Sequence, residues 1–149
     1  MNVWLCPIKT QSWHIIKKRK IFGAPTQVSR TMQQLRPDDW LVFHVLKPVN
    51  GVVAVARVIS NVYKDYEDVW GKARYPLRVK LEFVQQLCRD ESNPISIGSF
   101  LGRIRDGEIK IEPYLKNVWI SKLSEGQYGR LAKLLASGKP KINQTKRRK

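Results

Sequence analysis

The stretch "DDWLVFHVLKPVNGVVAVARVIS", residues 38–60, decides how the chain folds. It holds two β-prone arms, Asp38–Leu46 and Gly51–Ser60, on either side of "KPVNG". The Asn50-Gly51 pair is the strongest short-range hairpin signal in the sequence. Both arms are apolar at consecutive positions, so they belong deep in a sheet or closed barrel and not at a half-wetted edge.

Working outward, "NVWLCPI" (2–8) is a second apolar strand buried on both faces. "TQSWHIIKKRK" (10–20) reads as a short helix with Thr10 or Ser12 as N-cap, closed by Gly23-Ala24-Pro25. "VSRTMQQL" reads as another short helix, ended by Arg36-Pro37. On the other side of the hairpin, "YPLRVKLEFV" (75–84) alternates, with Leu77, Val79, Leu81 and Phe83 inward and Arg78, Lys80 and Glu82 outward. "NPISIGSFLGRI" suggests a helix over 95–104, and "RDGEIKIEPYLKNVWI" is ambiguous beyond a turn at Asp106-Gly107. "LSEGQYGRLAKLLASGKP" carries a Ser124–Gln127 capping box, leucines at 131, 134 and 135, and a Gly138/Pro140 stop: a C-terminal helix. The order describes an α+β protein with short helices around a strongly bent sheet, for which closure into a small barrel removes the edges. Residues 1–138 form one domain and 139–149 a basic, disordered tail.

The composition agrees with a folded domain that meets polyanions. Of 149 residues, 42% are hydrophobic, enough for a core, while 28 Lys+Arg against 12 Asp+Glu leave a net charge of +16. Such an excess concentrates polyanions by counterion release, which makes nucleic acid the expected partner and anionic lipid the weaker one. No apolar run approaches ~18 residues and the first residues lack a signal-peptide pattern, so a cytoplasmic protein is expected. Cys6 and Cys88 lack metal-ligand spacing and read as small hydrophobes, with a disulfide between them left open. No phosphate loop, zinc-protease or nucleophile-elbow motif is present. No cofactor, metal or catalytic set is therefore expected.

"VWLCPIKTQSWHIIKKRKIFGAP", "RPDDWLVFHV" and "VWGKARYPLRVKLEFV" together resemble the EVE domain of the PUA-like superfamily, related to YTH domains. The chain departs from the family pattern at Asp38, where glycine is common, and at Phe22, where tryptophan is common. Leu87–Asn117 is not matched. The resemblance implies a small barrel with a concave pocket for a nucleobase swung out of its strand. In YTH relatives, aromatic side chains cage the methyl group of N6-methyladenine. It implies Phe22 and Trp70 as the aromatic walls, and Lys9 and Thr10 as contacts to the base edge and backbone.

Each of these has a plainer alternative. Phe22 followed by Gly23 reads either as a core ring before a C-cap or as a stacking face, and Trp70 as a lid or a wall. With the resemblance added, the pocket leads for both. Trp13 and His44 flank the pocket or pack in the core, and Trp4, Trp40 and Trp119 are packing residues. Arg19, Lys20, Arg30, Arg74 and Arg78 form a phosphate-facing rim, and Lys146–Lys149 add non-specific affinity. The expected function is a non-enzymatic module that captures an everted, modified base of RNA or DNA. The alternatives are a generic RNA-binding, ribosome-associated module and, last, an enzyme acting on a modified nucleoside.

Overall fold

The structure is a computed structural model, and it describes residues 2–70, 75–95 and 120–138. Strands β1 (Val3–Ile8), β2 (Ile21–Ala24), β3 (Trp40–Val45), β4 (Gly51–Val58), β5 (Tyr63–Lys64), β6 (Leu77–Phe83) and β7 (Ser121–Lys122) build one curled sheet. Its order is β2-β6-β4-β3-β1-β7, with β5 on β6. Only β1 and β3 are parallel, and the segment between them carries helix α1 (Thr10–Arg19), β2 and the single turn α2 (Ser29–Met32). A chain that returns to a parallel neighbour needs such a crossover.

The sheet has two buried faces. The larger core lies under α1 and joins Trp4, Cys6, Ile8, Trp13, Ile16, Phe22, Phe43 and Trp70. The smaller one, with Val3, Leu5, Val42, Val52 and Val55, lies under helix α3 (Glu125–Gly138) through Leu131. Burial on both sides explains why β1, β3 and β4 read as continuous apolar runs and not as alternating ones.

The β3–β4 hairpin forms, but its turn differs from the expected two-residue form. The loop spans residues 46–50, and Asn50 takes the left-handed backbone at φ 59°. Gly51 already belongs to β4, where a Cβ would lie 2.5 Å from Pro94 Cβ. Its glycine is needed for close approach, not for the turn. Opposite Phe43 and His44 the ladder shifts register and leaves Val53 unpaired, so that Val53 and Ala54 both face the α1 side.

Helix α1 also differs at both ends from its reading in the sequence. Lys9 is the N-cap residue and supplies no side-chain cap, so Thr10 and Ser12 are inside the helix. The helix stops at Arg19, four residues before the expected glycine. Lys20 takes φ 58° and donates its N–H to Ile16 O at 2.7 Å. That left-handed residue releases Ile21–Ala24 to pair with β6 as β2, an element the sequence did not signal.

Two other features follow the sequence closely. Asp38, at the family's glycine position, has φ 77°, the conformation glycine adopts freely. Its neighbour Asp39 is buried and accepts from Asn2 N–H at 2.9 Å, Trp4 Nε1–H at 3.2 Å and Arg36 N–H at 3.1 Å, which ties β1 to the entry of β3. The capping box of α3 is present in both directions, Ser124 N–H to Gln127 Oε1 at 2.9 Å and Gln127 N–H to Ser124 Oγ at 3.1 Å. Cys6 and Cys88 are free thiols, and burial pushes Cys6 well above its ordinary pKa. The suggested helix over 95–104, Asp106-Gly107, Trp119 and the tail from 139 lie outside the described residues, apart from Ile95, which bridges to Val52. Among the described residues no helix is long and apolar enough to cross a membrane.

Candidate nucleic-acid interface

Three groups of side chains around α1 carry the chemistry. The first is the N-terminus of the helix. It has no acidic residue in its first turn and no side-chain cap, so its leading N–H groups and positive dipole end stay available. Lys9 is exposed beside it, and the Thr10 hydroxyl is buried without a hydrogen-bond partner. An uncapped N-terminus with a cation alongside is a receptor for an anionic or acceptor-bearing group.

The second group is a corner built on β2. A Cβ at Gly23 would lie 2.6 Å from Trp70 Cη2 and 3.1 Å from Tyr75 Cβ, so glycine alone admits the indole against the strand. Trp70 and Tyr75 meet edge-on, with centroids 5.4 Å apart and planes at 62°. The Arg78 guanidinium lies 5.1 Å from the Trp70 ring centre. Arg78 is only 3% exposed, and it donates to Tyr75 O at 2.9 Å and Glu67 O at 2.6 Å, with Asp65 Oδ2 at 3.4 Å.

These contacts correct two expectations. Arg78 is a buried clamp on the 65–70 loop and not part of a phosphate-facing rim, because its guanidinium packs on the Trp70 ring and is bonded to Glu67 O and Tyr75 O, with Asp65 beside it. Phe22 is 0% exposed and packs on Phe43 at 6.0 Å, so it presents no open face to a ligand. It also cannot sandwich a base with Trp70, since neighbouring residues of a strand point to opposite sides and Trp70 sits on the Gly23 side. The exposed acidic residues of the same loop hold cations: Asp65 faces Arg78, and Glu67 Oε1 lies 3.6 Å from Arg19 Nη2.

The third group is the last turn of α1. Lys17, Lys18 and Arg19 followed by Lys20 put four cations where the negative helix end favours them. Beside this turn, α1 and the segment after β6 enclose a hollow of about 530 Å³, lined by Trp13, Lys17, Lys20, Phe83, Arg89 and Glu91 among others. The Glu91 carboxylate accepts from Trp13 Nε1–H at 2.9 Å and Lys17 Nζ at 2.7 Å, and these bonds hold its pKa below the ordinary value.

The structure thus brings Trp13 and Lys20 together at the hollow, which runs along α1, and puts Lys9 with Thr10 at the helix N-terminus. His44 is not on this side. It is 1% exposed, pairs with Val52 and shares the sheet face of Val42 in the smaller core, and both ring nitrogens lack hydrogen-bond partners. Burial lowers its pKa to about 4, which keeps it neutral. Arg30 is exposed on α2, and Arg74 and Lys146–Lys149 lie outside the described residues. Phe83, Arg89 and Glu91 were missed in the sequence. Phe83 ends an alternating strand whose inward face reads simply as core, and Arg89–Glu91 fall in the stretch the family pattern left unmatched.

A curled, mixed half-barrel sheet with short helices against it is the PUA-like architecture of YTH domains. The EVE domain family model matches residues 2–97, and the chain belongs to that family. A UPF0310 protein of Pyrococcus abyssi is 26% identical over 144 residues, covering 88% of this chain and 86% of that protein. Among solved structures, the YTH domain-containing protein mmi1 in complex with RNA superposes with a TM-score of 0.64 at 12% identity, over 90% of this chain and 80% of that one. The YTH domain of Zygosaccharomyces rouxii MRB1 in complex with N6-methyladenosine RNA gives 0.57 at 16% identity, over 95% and 92%.

Proposed function

We propose that this chain is an RNA-binding module, not an enzyme, that receives one everted and methylated base beside α1. In this reading Lys9 and the leading N–H groups of the helix take the sugar-phosphate, and the Thr10 hydroxyl takes an edge of the base. The apolar wall comes from the Trp70 corner. Arg19 and Arg30 meet neighbouring phosphates, which position the strand without reading it.

The observation that carries the proposal is the open N-terminus of α1 beside an exposed lysine and an unpartnered buried hydroxyl. A buried polar group without a partner is costly, and a ligand that bonds to it recovers that cost. Family membership and the fold shared with two YTH–RNA complexes favour RNA over DNA as the polymer. The net charge of +16 supplies the non-specific attraction. Everting a base costs a few kcal/mol, least in a single strand, and stacking on an aromatic face contributes about 1–3 kcal/mol in return.

The test is fluorescence-anisotropy titration of matched RNA and DNA single strands, unmodified or carrying N6-methyladenine. RNA binding that weakens in Lys9→Ala, with the methyl preference reduced in Thr10→Val, supports the proposal. Binding to RNA and DNA that depends only on salt, with both variants like the parent, refutes it and leaves a basic module that reads charge and shape.

A further inference from the structure

The hollow beside α1, from Trp13 to Lys20, is not used by the function proposed above, yet it has the makings of a ligand site. Its floor exists because of the irregularity in β4: Val53 and Ala54 both face this side, where a regular strand would turn one away. Arg89 N–H then bonds to Val53 O at 2.7 Å and brings the segment after β6 across the opening. The walls are aromatic, with Trp13 and Phe83 edge to face at 5.8 Å and 84°. The charged groups are three cations, Lys17, Lys20 and Arg89, and the carboxylates of Asp90 and Glu91.

The volume of about 530 Å³ lies in the range of small-molecule pockets and exceeds what a single base needs. The two carboxylates differ in their commitments. Asp90 accepts from Ser92 N–H at 2.9 Å and Ser92 Oγ–H at 2.8 Å, which fixes the turn. Glu91 instead spans 74 and 78 residues of sequence to reach Lys17 and Trp13. An indole N–H and an ammonium converging on one oxygen make an anion seat, and Glu91 occupies it. Lys20 stands at the rim and makes no ion pair among the described residues.

We infer that this hollow is a nucleotide site. Its base lies over Phe83 and the Val53–Ala54 floor, and its phosphate meets Lys20 and competes with Glu91 for Lys17 and the Trp13 N–H. The nucleotide comes either free or as a residue of a bound RNA strand, the latter resting on the RNA reading above. Glu91 is then an internal competitor, and the two kinds of charge removal have opposite signs. Lys20→Ala weakens binding, whereas Glu91→Gln strengthens it, because the amide holds the seat less tightly than the carboxylate does.

The experiment follows the Trp13 indole N–H signal by NMR, assigned with Trp13→Phe, during titration of the full chain with UMP, with AMP and with an unmodified nine-residue RNA. The expected result is a saturable shift of that signal, about fivefold weaker in Lys20→Ala and about threefold tighter in Glu91→Gln. A shift with the mononucleotides alone supports the site with free nucleotide as its ligand. A shift with RNA alone supports it as a strand subsite. RNA binding by anisotropy with the Trp13 signal silent throughout overturns the inference and leaves the RNA reading standing. Silence with no RNA binding overturns both. A Glu91→Gln variant that binds more weakly than the parent overturns the competition. Phe83→Ala, at the strand end, repeats the test without touching a charge.

Discussion

The two tryptophans that flank α1 are both nearly buried, at 3% for Trp13 and 8% for Trp70, but their surroundings are opposite. Trp70 is gripped by the bare backbone of Gly23, the Tyr75 ring and the Arg78 guanidinium. Trp13 borders open space and gives its N–H to a carboxylate at the surface. In the sequence Trp70 reads as a lid or a wall and Trp13 as a flank of the pocket or a core ring. Neighbours, and not the element a ring sits on, determine how much of it a ligand can reach.

The sharpest way to break this comparison is to remove the gripped ring. Trp70→Ala is expected to cost about 3–5 kcal/mol of stability in urea denaturation, as large-to-small core changes do. Phe83→Ala, at the half-buried rim of the hollow, should cost well under half of that. Equal losses would mean that the corner and the hollow are not different in kind.

Next in size is the buried histidine on the far side of the sheet. Its folded pKa of about 4 lies below the ordinary 6.5, so the unfolded chain binds the extra proton between those values. Stability is therefore complete above about pH 6.5 and falls as pH drops toward 4, by roughly 3 kcal/mol for a shift of that size. His44→Leu should flatten this part of the urea midpoint against pH, and an unchanged slope would show that other groups carry it.

Gly23→Ala sharpens the account of the corner. Its Cβ collides with Trp70 Cη2, so a loss of about 1–3 kcal/mol is expected. Combined with Trp70→Ala the loss should be smaller than the sum, because the clash disappears with the ring. Strict additivity, read from the same denaturation curves, would show that Gly23 matters for another reason.

The smallest effects concern the basic turn. Neutralising Arg19 should lower the slope of log affinity against log salt by about one for RNA. Its partner Glu67, at 3.6 Å with both side chains well exposed, should matter little to stability, as surface ion pairs generally do.

β1, β3 and β4 were legible in the sequence because each is an apolar run longer than a turn, β6 because it alternates, and α3 because its cap and stop residues are local signals. Three things were not legible, for physical reasons. β2 is four residues long and owes its existence to the left-handed Lys20, a conformation no lysine advertises. Arg78 occupies an outward position in an alternating strand, yet the 65–70 loop closes over it through Asp65, Glu67 and Trp70, contacts that no alternation signals. The hollow depends on a register shift in β4 and on a segment after β6 that has no periodic pattern. Of the expected site, Lys9, Thr10 and Trp70 remain as proposed contacts, Trp13 and Lys20 meet at the hollow, and Phe22, His44 and Arg78 belong to the interior.

The central claim is that a base is read, and not only phosphates, and the most direct test is the ratio of affinities for methylated and unmodified RNA at several salt concentrations. Phosphate contacts weaken steeply between about 50 and about 200 mM salt, whereas a pocket that recognises an uncharged methyl group does not. The account predicts a preference of about tenfold, ~1.4 kcal/mol, that stays constant while both affinities fall. Two titration curves that coincide at every salt concentration would contradict it.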